Sequence, residues 1–221
     1  MNRPFLTRTF ITRGLATITV LVIGWTAYTQ DGGGRGSRSQ MTITKVKPDL
    51  YNIEGGGGNV LAYVTGEGVI LVDDKNPGDQ FHDAIMAQLK TVTDQPVKYI
   101  FNTHYHEDHT GTNGKFPGAL MVSTENSRIN TLGPAWAKAY GSHRSPPREP
   151  SARSVPAEIV FTRDISIFLG GKEVQARYLG RGHTNGDAVI IFPAIKTIHT
   201  GDLVSTTGVT FGPMIDYDGG G

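Results

Sequence analysis

The chain has 221 residues, enough for one medium-sized domain and an extension, and its 38% apolar content is sufficient to fill a core. It has no cysteine, so disulfide frameworks, zinc–thiolate sites, thiol nucleophiles and cysteine-held iron–sulfur clusters are excluded, and any metal must be held by His, Asp or Glu. The formal charge is +1, and setting aside Arg3, Arg8 and Arg13, the only charges in the first thirty residues, leaves 18 basic against 20 acidic groups, a balance with no general pull toward nucleic acid or anionic lipid.

The basic start is followed by an apolar run at residues 14–27 (GLATITVLVIGWTA) that is short for a membrane span. This pairing predicts a secretory signal or an uncleaved N-terminal anchor over residues 1–30, with Ala27-Tyr28-Thr29 as a cleavage-like site. Either reading makes the domain periplasmic or secreted, and membrane contact follows only if the segment stays uncleaved. Residues 31–41 open with DGGGRGSRSQ and read as a flexible linker, so the folded domain is expected over residues 42–221.

Within that domain, residues 59–65 (NVLAYVT) and 68–73 (GVILVD) are apolar runs split by Gly66-Glu67, which predicts a hairpin. Phe81, Ile85 and Leu89 recur every fourth residue with Met86 beside them, which predicts an amphipathic helix. Asp79 stands where a side chain accepts hydrogen bonds from a first helical turn. After Pro96, residues 97–101 (VKYIF) read as a buried strand and 119–122 as a short one. Residues 133–156 contain five prolines and read as a surface insertion. Strand-like segments then follow at 158–161, 165–169, 173–178, 188–192 and 197–199, and the whole predicts mixed α/β layering.

The chemistry is concentrated at residues 102–111 (NTHYHEDHTG), where three His and two acids fall within six positions directly after a buried strand. In extended chain, side chains repeat with period two, so His104 and His106 project to one side. If the chain then turns into a helix, Asp108 and His109 point into the same cavity from another wall. That is a pattern for two adjacent metals. Imidazole with carboxylate and no sulfur suits Zn²⁺, with Fe or Mn as alternatives. No Gly-x-Ser-x-Gly is present to support a Ser nucleophile. Glycines 55–58 lack the Lys-Ser/Thr of a nucleotide loop and read as a flexible loop over the site.

His104-x-His106-x-Asp108-His109 resembles the signature of the metallo-β-lactamase superfamily, and three other stretches agree in order. Val69-Ile70-Leu71-Val72-Asp73 resembles the early strand whose terminal Asp supports the metal site from behind. Gly182-His183-Thr184-x-Gly186-Asp187 resembles the second His motif, and Thr200-Gly201-Asp202 resembles the strand-end Asp motif. The resemblance runs from about Leu50 to the C-terminus. It implies an α+β fold, a four-layer αβ/βα sandwich. It also implies that His104, His106 and His183 bind one zinc, that Asp108 and His109 bind a second, and that Asp202 bridges the two.

The implied activity is zinc-dependent hydrolysis of a carbonyl substrate (a β-lactam, lactone, thioester or other ester or amide), with Asp108 as the catalytic residue that orients the attacking water. An iron-dependent redox enzyme of the same fold and a non-catalytic metal-binding protein are the alternative readings. The expected partner is a small-molecule substrate and not a nucleic acid. In the family a further His completes the second metal site from the C-terminal part of the fold. None follows Asp202 here, so the sandwich is expected to be incomplete at its C-terminal end, with Asp216 and Asp218 as the available substitutes. Glu107 receives no role. His199 is expected to pack, Asp187 to cap near His183, and His82 and His143 to be solvated.

Overall fold

The computed structural model describes residues 41–132 and 155–204. The segment 1–30, the linker up to Gln40, most of the proline-rich insertion including His143, and residues 205–221 with Asp216 and Asp218 lie outside the described residues.

Four strands run up and down at the start: β1 (Thr42–Lys47), β2 (Leu50–Glu54), β3 (Val60–Val64) and β4 (Val69–Val72). The β3–β4 hairpin turns at the predicted Gly66-Glu67. Thr65 closes it, its Oγ1 donating to Gly68 O at 2.8 Å and accepting from Glu67 N–H at 3.1 Å. Helix α1 (Asp79–Leu89) then carries the chain back, so that β5 (Val97–Phe101) pairs parallel with β4. A short helix α2 (Glu107–Thr110) follows β5. Next come β6 (Leu120–Thr124), helix α3 (Glu125–Thr131) and β7 (Ile159–Phe161), both strands extending the parallel half. The resulting seven-stranded sheet has the order β1-β2-β3-β4-β5-β6-β7. A second, wholly antiparallel sheet is ordered β11-β10-β9-β8, from β8 (Asp164–Leu169), β9 (Lys172–Tyr178), β10 (Ala188–Phe192) and β11 (Thr197–His199).

The period-two rule divides the central strands between two cores. Val60, Ala62, Val69 and Leu71 join Ile85 and Leu89 of α1, whereas Leu61, Tyr63, Ile70 and Val72 join Val174, Ile190 and Phe192 of the second sheet. Both faces of β3 and β4 are therefore covered, which is why they read as unbroken apolar runs. Each such large side chain, fully buried, contributes about 1.5–3 kcal/mol relative to exposure. Among the described residues the layers are α1, the first sheet and the second sheet, three of the four expected. No helix among them is long and apolar enough to cross a membrane.

Two details depart from the sequence-based expectation. Asp79 does not cap α1. The N-cap is Gly78, without a side-chain hydrogen bond, and the Asp79 carboxylate pairs with Lys115 instead. Met86 is exposed on α1 and does not share the buried face of Ile85 and Leu89.

Candidate metal centre

The candidate site lies beyond the carboxyl ends of β4, β5, β9 and β11, the edge where sheets of this kind place their ligands. Asp73 follows β4 with its backbone at φ 61°, a left-handed conformation that Asp tolerates better than most residues. Its N–H still donates to Phe101 O at 2.8 Å, so pairing with β5 continues while the carboxylate turns inward. There Oδ1 accepts from Thr103 N–H, and Oδ2 accepts from the Thr103 hydroxyl and faces His109 Nδ1, all at 2.7 Å. The motif backbone is braced from the other side by Asn102 and Asn113, whose amides bond reciprocally at 3.0 and 2.9 Å. Asn102 Nδ2 also reaches His109 O at 3.3 Å.

Three imidazoles converge. His106 Nδ1 lies 3.0 Å from His104 Nε2 and 3.0 Å from His183 Nε2. The three rings cross at 81–83° with centroids 4.6–4.8 Å apart. Nitrogens at about 2.0–2.1 Å from one tetrahedral zinc lie about 3.3 Å from each other, so this spacing is within a few tenths of an ångström of a ligand set. The second group surrounds His109, whose ring centroid is 4.2 Å from that of His104. His109 Nε2 is buried without a hydrogen bond, 3.5 Å from Asp108 Oδ2 and 3.4 Å from Asp202 Oδ1. The other oxygen of Asp202 is 3.7 Å from His183 Nε2, so one carboxylate touches both groups. Ligand-type atoms of His104, His106 and His183, and of His104, His109 and Asp202, lie within 4.8 Å of one another.

The electrostatics suit a cation. Burial, followed by the positive charges of His109, His106 and His183, pushes His104 well below the ordinary imidazole range and keeps it neutral. Thr103 Oγ1, which donates its own hydrogen to Asp73, is 3.0 Å from His104 Nδ1 and can accept its N–H, leaving the Nε2 lone pair facing the cluster. Burial opposes charge on His109 too. The Asp73 carboxylate, facing Nδ1 at 2.7 Å, and the Asp202 carboxylate beside Nε2 outweigh it, and His109 is pushed up to about 11. For Asp202, burial works against the anion, yet the close imidazole of His109 and then that of His183 hold it below the usual carboxylate range. A divalent cation meets the same demand by replacing the His109 proton, and the donor set, imidazole and carboxylate without sulfur, fits zinc.

Helix α3, which has no functional look in the sequence, positions His183. Thr124 Oγ1 caps it, accepting from Ser127 N–H at 3.1 Å, and donates to Gly186 O at 2.7 Å. Asn126 and Asn130 hold Asn185 through its backbone and side-chain oxygens at 2.8 and 2.6 Å. Gly186 is required here, since a Cβ would fall 2.6 Å from Ser127 N. Asp187 closes the loop by accepting from the Thr184 N–H and hydroxyl at 2.8 and 2.7 Å. His199 Nδ1 accepts from Gly201 N–H at 3.1 Å and so supports the turn that carries Asp202.

His104, His106, Asp108, His109, His183 and Asp202 thus gather at one place, while Glu107 points to solvent. His82 differs from its expectation: it packs edge-on against Phe116, ring centroids 4.9 Å apart, and bonds Asp83. Glycines 55–58 are not loosely held. Lys75 and Asn76 donate to their carbonyls and Gly58 N–H donates to Asp108 O at 3.1 Å. Lys75, Asn76 and Thr103 have no functional mark in the sequence: Lys75 follows the apolar run of β4 only after Asp73 and Asp74, and nothing local names its partners.

The sequence profile of the metallo-β-lactamase superfamily matches residues 53–214. Among curated relatives, "Metallo-beta-lactamase IND-1" of Chryseobacterium indologenes is 27% identical over 152 residues, covering 69% of this chain and 56% of that protein. "2,4-dinitroanisole O-demethylase subunit alpha" of Nocardioides sp. (strain JS1661) is 26% identical over 182 residues, covering 80% and 50% respectively. The chain spans about half the length of these relatives. Among solved structures, a metallo-β-lactamase from Pontibacter korlensis aligns with a TM-score of 0.61 at 22% identity, covering 77% of this chain and 75% of the other. Metallo-β-lactamase IND-7 aligns with a TM-score of 0.59 at 23% identity, covering 78% and 75%. With its profile match over most of its length and a sandwich of the same fold, the chain belongs to the metallo-β-lactamase superfamily.

Proposed function

We propose that the chain builds the metal centre of an exported, zinc-dependent hydrolase acting on carbonyl substrates: a β-lactam, lactone, thioester or other ester or amide. The observation that carries this reading is the pair of ligand groups sharing His104 and touched by one carboxylate, Asp202. In this reading His104, His106 and His183 would hold one zinc, Asp108 and His109 would hold a second, and Asp202, which touches both groups, would contribute its carboxylate. Bound there, zinc supplies a water acidified toward neutral pH and an electrophile for the substrate oxygen. Asp108, with a side chain 41% exposed beside the buried His109, faces the approach to the site. It would accept a hydrogen bond from the attacking water, take its proton and return it to the leaving atom of the cleaved bond. Asp73 and Thr103 fix the ring orientations of His109 and His104. The names of the curated relatives support hydrolysis of a β-lactam and add an aryl methyl ether to the substrates worth testing.

The test is a panel of one β-lactam, one lactone, one thioester and one aryl methyl ether, offered to zinc-loaded protein. Turnover of at least one is expected, lost with a chelator, restored by zinc and reduced about a thousandfold in His183→Ala. No turnover with zinc, iron or manganese would sink the proposal, and stoichiometric iron with negligible zinc in the purified protein would move it to redox chemistry.

A further inference from the structure

Lys75 is the bulkiest fully buried side chain among the described residues, yet it is a cation. Its backbone sits at φ 76°, which residues other than glycine rarely adopt. Strand β4 thereby delivers Asp73 to the metal centre and, two residues on, Lys75 beneath residues 53–58. Lys75 Nζ donates to Ile53 O and Gly58 O, both at 2.7 Å. Asn76 adds a bond from its side-chain amide to Gly56 O at 3.0 Å.

The other side of the segment lies against the centre. Gly58 N–H donates to Asp108 O at 3.1 Å, and a Cβ on Gly58 would fall 2.2 Å from His109 Cε1. Gly55, Gly56 and Gly57 all have positive φ, at 90°, 75° and 118°. Four successive glycines have the largest backbone entropy to lose and no side chains with which to hold a shape. The shape must be imposed from outside, and Lys75 and Asn76 are the groups that do so from beneath.

We propose that Lys75 is a positioning residue, its buried ammonium holding glycines 55–58 against Asp108 and His109 and so setting the substrate-facing wall of the metal centre. The consequence for substrate rests on the hydrolase reading above, whereas the consequence for the loop does not.

Lys75→Met, which keeps the length but removes the donors, and Lys75→Gln, which keeps N–H donors without the charge, separate the possibilities. Hydrogen exchange of a peptide covering residues 53–60 is compared with peptides from β5 and β10. Zinc content, KM and kcat are measured alongside. Lys75→Met is expected to exchange at least tenfold faster at 53–60, with β5 and β10 unchanged and zinc content retained. KM rises at least tenfold with kcat altered less than threefold, and Lys75→Gln recovers part of both effects. Wild-type exchange at 53–60 in Lys75→Met overturns the proposal. So does equal acceleration throughout β5 and β10, or loss of the fold in both variants, since either marks a general structural role. If the wild-type protein turns over no substrate, the hydrolase reading fails, and the exchange comparison still decides the role of Lys75.

Discussion

Asp73 uses two oxygens to orient two candidate ligand residues, His104 through Thr103 and His109 directly at Nδ1. Asp73→Asn keeps the size but replaces one acceptor with a donor, so either the Thr103 N–H loses its acceptor at Oδ1, or the Thr103 hydroxyl and His109 Nδ1 both lose theirs at Oδ2. Zinc affinity is expected to fall about 10–100-fold in a competition titration with a chromogenic chelator; unchanged affinity would remove Asp73 from the support of the site. Lys75 gives a second test at this scale. Burial lowers it from 10.5 to about 8, against the opposing pull of Asp73, Glu54 and Asp108. The unfolded chain therefore binds this proton more tightly, and between pH 8 and 10.5 stability from this group rises with pH. His109 acts in the opposite sense: its contribution is complete below about 6.5 and drains away as pH rises through about 11. Subtracting Lys75→Met from wild type isolates the lysine. The difference in urea-unfolding free energy should climb by on the order of 2–3 kcal/mol between pH 8 and 10.5, and a flat difference would show that burying the ammonium is not opposed.

At the scale of elements, the segment between β2 and β3 and the turn between β3 and β4 both contain glycine, for different reasons. A methyl group on Gly58 meets the His109 ring, whereas nothing lies within 4 Å of one on Gly66. Gly58→Ala is expected to destabilise by about 1–3 kcal/mol and to lower zinc content, with Gly66→Ala changing stability by less than about 0.5 kcal/mol. Elemental analysis and urea titration check both, and equal behaviour of the two variants would mean that the segment does not rest on His109. The same contrast explains what could be read in advance. β3, β4, β5 and β10 announce themselves because burial leaves a run of apolar residues. β1 is a largely exposed edge strand with only Ile43 and Val46 among its Thr and Lys residues, and α3 has neither Leu nor Ala to mark a helix, only Thr124 as its cap. The cluster at 104–109 is legible because five ligand-type side chains, three His and two acids, are packed into six positions. His183 and Asp202 stand alone in sequence and were found through resemblance of their motifs. Lys75 could not be found locally, because its partners are carbonyls 17 and 22 residues away, and a Lys is ordinarily at the surface.

For the molecule as a whole, the candidate centre is a seam between the two sheets. His104, His106, Asp108 and His109 follow a strand of the first, and His183 and Asp202 follow strands of the second. Within the described part of this seam, Ala188 N–H donates to Thr103 O at 2.7 Å, tying the start of β10 to the motif loop. Cations bound across the seam would hold the two sheets together only in the folded state, so binding would appear as stability. At free zinc a hundredfold above Kd the gain is about 2.7 kcal/mol, and for a chain of this size each kcal/mol moves Tm by about 2–4 °C. A chelator should therefore lower Tm by about 5–10 °C in a calorimetric scan, and added zinc should restore it. In the double variant His183→Ala, Asp202→Asn, the first sheet keeps its own ligand-type residues but loses those contributed by the second, and most of the shift should vanish. If the double variant gains as much from zinc as the wild type, the ion is held by one sheet alone, and a centre assembled from both would have to be abandoned.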